Sequence, residues 1–234
     1  MLKSFNKFII LMRELARLCL ILALGIGIGF LLTIPLLSLL PLQPYLRKPA
    51  PGDFPGILLR TFFVAAFLFQ GGVFSCLAEL VFYERGGKLY QIADLPWDPL
   101  YQALSLLKRE FKKVGRFYRS CYLSLFAVPL VGIFLIGFIF GFYLGIFSLV
   151  LGARGAFLFL QKLFPHALIE IPVYLIAARF GVEMARQAEE EVMEERKEEL
   201  RLKLISALKS RENWKRIFFL YLLLTISSYL EVFS

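Results

Sequence analysis

A chain of 234 residues with 59% hydrophobic and 16% aromatic side chains and a mean hydropathy of +0.69 cannot bury all its apolar surface in one soluble core. Its net charge of +9 is punctuation between long apolar runs, which suits anionic lipid as the counter-surface rather than nucleic acid. The expected class is all-α: a polytopic membrane helix bundle of about five transmembrane helices, one membrane domain over 1–234, since backbone in hydrocarbon must satisfy itself.

The first span, 18–41, has no small-residue cleavage site after it and is expected to stay as a transmembrane helix. It carries Gly25, Gly29 and Thr33 on one face. The second, 57–83, has Gly71, Gly72 and Ser75 around Gln70. The segment 84–121 follows, where Asp98 can cap a helix opening at Pro99. There Leu100, Leu104, Leu107, Phe111, Val114 and Tyr118 recur at helical spacing opposite Lys108, Lys112, Lys113, Arg116 and Arg119. Such a basic amphipathic helix suits a headgroup layer, with packing on the protein as the other option.

The third span, 122–151, contains Gly137, Gly141 and Gly145, a GxxxGxxxG stripe that lets a second backbone approach closely. Packing within the chain is the first expectation for this stripe, and a homo-oligomer seam is left open. Residues 152–164 fit either a short helix or a re-entrant turn. The fourth span, 165–184, is expected to open at Pro165, and the segment 185–216 reads as one continuous charged helix with pairs such as Glu194 with Lys197 and Glu199 with Lys203. Because the chain must re-enter the membrane near Trp214, that helix has to lie along the surface or fold back, with Ser206 to Asn213 as the expected place. The last span is 217–233.

Of the 27 Lys and Arg, only Arg47, Lys48, Arg60, Arg154 and Lys162 fall on one side of these spans. The positive-inside bias therefore predicts a cytoplasmic N-terminus, cytoplasmic segments at 84–121 and 185–216, and a C-terminus outside. Cys19, Cys76 and Cys121 lack metal-ligand spacing and read as small core residues.

The only histidine, His166, precedes Glu170 by one helical turn on the same face. Ionisable groups inside a span face a bundle interior or a wet cavity and have partners. The pair is therefore a candidate polar clamp or a candidate site for an ion, a proton or a lipid headgroup, with Arg154 and Arg60 as expected neighbours. Pro165-His166, Glu170, Pro172, Ala177 and Gly181, behind a glycine-rich span ending in Gly152, resemble the stage II sporulation protein M family over 137–184. In sporulating bacteria the resemblance implies a multi-pass membrane protein that gathers peptidoglycan-degrading partners at the septum; for this chain it implies a membrane scaffold of the cell envelope, not a sporulation role.

No catalysis is expected. One His and one nearby Glu give two of the three ligands that a metal hydrolase needs, and there is no HExxH, GxSxG or GxxxxGK pattern. No cofactor or metal follows from the residues; membrane lipids and envelope proteins are the expected partners. Two functions remain: an integral membrane scaffold or assembly protein, and a transporter or permease-like subunit with His166, Glu170, Gln70 and Glu79 along a route.

Overall fold

In a computed structural model of the chain, the structure describes residues 2–37, 51–94 and 114–233. These residues form helices and no strand: α1 (Leu2–Leu37), a 3-10 turn (Pro51–Asp53), α2 (Phe54–Asp94), α3 (Arg116–Met193), α4 (Lys197–Lys209) and α5 (Arg211–Phe233). Four helices contain stretches long and apolar enough to cross a membrane: Met12–Thr33, Phe54–Glu84, Phe117–Gln161 and Arg211–Phe233.

The third and fourth predicted spans are the two arms of α3. The break is at Gly152, whose φ of 64° and ψ of −156° are open to glycine and costly for a side chain. From there the chain doubles back along itself. Phe159 packs on Phe140 and Phe147 with ring centroids 5.5 and 5.2 Å apart, and Gly181 lies against Pro129. Farther along, the Tyr122 hydroxyl donates to Glu189 at 3.4 Å and the Tyr118 hydroxyl to the Glu195 carbonyl at 2.6 Å. The second arm thus runs antiparallel to the first along its length.

This corrects the expectation that a helix opens at Pro165. Helix resumes directly after Gly152, so 152–164 is neither a separate short helix nor a re-entrant turn, and Pro165 and Pro172 both lie inside the arm 153–193. His166 is accordingly not in a first turn, and the favourable dipole position for Glu170 is lost.

Glycine seams set the helix spacing. A Cβ on Gly141 would overlap the Ile26 carbonyl, one on Gly137 the Leu22 carbonyl, and one on Gly29 the Phe138 carbonyl, so α1 and the first arm of α3 run parallel in backbone contact. Gly145 meets Thr33, whose hydroxyl lies 3.0 Å from the Gly29 carbonyl and 3.2 Å from that of Phe142. On the other side, a Cβ on Gly72 would come 2.7 Å from the Leu125 carbonyl, and Gly181 abuts the Leu68 carbonyl. Between these helices lies a core that includes Leu68, Phe69, Val73, Leu125, Ile133, Ala177 and Leu224. Cys76 and Cys121 are buried free thiols in the core, whereas Cys19 is exposed, contrary to its expected core position.

Beyond the spans, the end opposite Gly152 continues as a stalk. Helix α2 runs on to Asp94, past its predicted end at Tyr83, and the second arm of α3 runs to Met193. The expected continuous charged helix is broken at Glu194–Arg196, where Glu195 adopts φ of 57°. Its carboxylate accepts from the Gly115 N–H and its carbonyl from Tyr118, which holds a conformation that glutamate rarely takes. Helix α4 then runs back for 13 residues, about 20 Å, to Ser210, and α5 enters the bundle. The fold-back near Ser206 to Asn213 is therefore present, but it is the second of two turns. The expected amphipathic helix falls largely on 95–113, outside the described residues; Val114, its last described apolar position before Tyr118, is buried.

Candidate functional site

The two ends of the bundle hold its charges. At the stalk end, Glu14 of α1 meets Arg179 at 3.4 Å and Arg186 of the second α3 arm. Arg216 of α5 reaches Glu183 at 3.5 Å and lies over the Phe180 ring, 4.6 Å from its centroid. Glu84 of α2 pairs with Lys197 at 2.9 Å and Arg201 at 3.7 Å, and Glu191 with Lys203 at 2.6 Å. The predicted pairs are thus replaced: Lys197 and Lys203 bind glutamates across helices, and Glu194 pairs with Arg196 at 3.1 Å. Burial works against the Glu191 charge, but the Lys203 ammonium bonded to it, with Arg196 nearby, outweighs burial and holds the carboxyl below the usual carboxylate range.

Near the Gly152 end, three helices bring their polar side chains together. The second α3 arm contributes His166, Glu170 and Tyr174 on successive turns; α2 contributes Arg60 and Thr61; α5 contributes Ser227, Ser228 and Glu231. The Ser227 hydroxyl donates to the His166 carbonyl at 3.0 Å, and the Thr61 and Ser228 hydroxyls lie 3.3 Å apart. Arg60 pairs with Glu231 at 3.5 Å, and both lie within electrostatic reach of His166 and Glu170.

His166 and Glu170 do not pair with each other. Glu170 accepts the Tyr174 hydroxyl at 2.6 Å, one further turn along the arm. His166 is 8% exposed and its Nδ1 has no hydrogen-bond partner among the described residues. A buried polar atom left without a partner costs about 1–3 kcal/mol, so this nitrogen is a place where a ligand or a proton would be stabilising. Arg60, not Arg154, is the neighbouring cation; Arg154 is exposed beside the hinge. Glu79 is at the opposite end, accepting from Ser124, and Gln70 is buried midway along α2, so the four residues proposed to line a route are not gathered into one site. Among the described residues, no three His, Cys, Asp or Glu side chains are grouped to hold a metal.

Tyr174, Glu231 and Thr61 were not singled out from the sequence. Tyr174 had a signal, since it continues the four-residue repeat from His166 and Glu170. Glu231 had a weaker one, as the single acid within the last span.

The stage II sporulation protein M family model matches residues 98–234, which include all of α3, α4 and α5. The chain belongs to the stage II sporulation protein M family. No curated protein and no solved structure matches it. Membership therefore makes this a membrane protein of that family, and the matched region holds the His166, Glu170 and Tyr174 face together with the stalk built from α3 and α4.

Proposed function

We propose that this family member is an integral membrane scaffold of the cell envelope, whose stalk holds partner proteins while the chain itself catalyses nothing. The observation that carries this reading is the stalk. Its helices extend past the spans and are braced to one another by Glu84, Glu191 and Glu195, yet Glu190, Glu194, Glu198 and Glu199 face outward. A surface already ordered loses little entropy when a partner docks.

In the same reading the stalk is cytoplasmic, because most Lys and Arg fall in the sequence before the first span, between the second and third, and between the fourth and fifth; the N-terminus is then inside and the C-terminus outside. Cysteine accessibility in intact cells checks this: residues near Lys112 and Glu195 are expected to be protected, and Pro51 and Ser234 labelled. Labelling of Glu195→Cys from outside would reverse the orientation. Crosslinking and pull-down from native membranes tests the scaffold role, with a stable envelope-protein partner as the expected result. A second reading, a site for an ion, a proton or a lipid headgroup at His166 and Glu170, is favoured by the unpartnered Nδ1.

A further inference from the structure

The polar junction between α2, the second α3 arm and α5 has an uneven charge count. Arg60 from α2 and Glu231 from α5 act on both His166 and Glu170, and Tyr174 donates to Glu170 one turn farther along their arm. The first α3 arm carries no charged side chain after Arg119, and α1 none between Arg17 and its end at Leu37. Among the described side chains that act on His166 and Glu170, two carboxyls, Glu170 and Glu231, share the Arg60 guanidinium. Away from water, an uncompensated charge is expensive, and such clusters are completed by a partner or a proton.

The atom placed to complete this one is on the imidazole, because Nδ1 of His166 is buried with no partner among the described residues. The Arg60 side of the junction opens to a groove. Arg60, with 63% of its side chain exposed, borders an open groove of about 360 Å³ lined also by Gly52, Asp53, Gly56 and Ile57.

We propose that this junction binds one exchangeable proton, carried on the His166 imidazole and balanced by Glu170 and Glu231. The inference rests on the second reading of this site and narrows it to a proton; the scaffold role of the stalk is unaffected by it. The step is a simple transfer. A hydronium ion from the phase bordering the groove gives its proton to the imidazole lone pair and leaves as water, and no other bond changes. With imidazolium present, His166 and Arg60 balance Glu170 and Glu231.

Because His166 is the only histidine, imidazole 15N chemical shifts of the full chain in lipid nanodiscs report this group alone. The expected wild-type result is one reversible titration between about pH 4 and 9. In Glu170→Gln the midpoint should move toward lower pH by about one pH unit, because a neighbouring negative charge is gone. Glu231→Gln, which removes the carboxylate paired with Arg60, should move it the same way and keeps the test available if Glu170→Gln does not fold. Glu198→Gln on the stalk should leave it in place. An imidazole fixed in one protonation state across that range, or a midpoint unmoved in both junction variants, would overturn the proposal. A midpoint that follows sodium or potassium concentration at fixed pH would overturn the proton while keeping the site, in favour of a bound alkali cation.

Discussion

At the stalk end Glu14, Glu84, Glu183 and Glu191 each meet a lysine or arginine from another segment of the chain. At the hinge end Glu170 turns to a tyrosine on its own helix, and the neighbouring imidazole nitrogen has no partner among the described residues. The helices are shared, so the contrast lies in how many charged partners each carboxylate meets. Pairs with exposed partners, such as Glu190 with Arg196, contribute about 0–1 kcal/mol each, and many are needed to hold one geometry. Around His166 and Glu170, sunk among apolar helices, a few polar groups suffice, and one buried atom without a partner among the described residues weighs as much as several surface pairs. The stalk is thus ordered by number, and the junction is made sensitive by scarcity.

The largest effect should come from the seam that both ends share. Gly141→Leu puts a side chain into the Ile26 backbone and is expected to cost about 1–3 kcal/mol, whereas Leu135→Ile on the exposed side of the same arm should be mild. Thermal unfolding in detergent compares them, and equal midpoints would mean that α1 is not held by this contact.

At the junction, Glu170→Leu removes the acceptor of the Tyr174 hydroxyl and should destabilise the bundle by about 1–3 kcal/mol. Glu170→Gln keeps a hydrogen-bonding shape and should lose less. A leucine variant as stable as the glutamine variant would show that the Tyr174 bond contributes nothing.

On the stalk, Lys203→Met should cost less than about 1 kcal/mol at neutral pH, since the pair is partly screened. Its signature is pH dependence. A carboxyl whose folded value is depressed lends stability that is complete above its unfolded value, about 4.3, and is lost as pH falls through the folded value. Hydrogen exchange along α4 should therefore accelerate on acidification below about pH 4 in wild type, and Lys203→Met should remove most of that change. Identical profiles for the two proteins would dissociate Glu191 from the stability of α4.

The helical class was legible because apolar runs of membrane length have few alternatives, and the glycine stripe because its spacing already implies close approach. The hinge was not. Pro165 looks like a helix start, and only the doubling back of α3, pinned by Phe159 against Phe140 and Phe147, shows that a single glycine thirteen residues earlier makes the turn. The break at Glu194–Arg196 contains no glycine or proline. It is imposed by Gly115 and Tyr118, about 80 residues away in sequence, and no local pattern records such a contact. For the junction, the His166 and Glu170 pair was visible at one-turn spacing, but its partners came from helices whose register the sequence leaves open.

The central claim is that the stalk, not the junction, is where partner proteins are held. Crosslinking and pull-down from native membranes, run in parallel on wild type, a stalk variant combining Glu190→Gln, Glu198→Gln and Glu199→Gln, and Glu170→Gln, tests it directly. The account predicts that the stalk variant is expressed and as heat-stable as wild type yet loses its envelope partner, while Glu170→Gln retains it. Retention by the stalk variant with loss in Glu170→Gln would contradict the account and move partner binding to the hinge end.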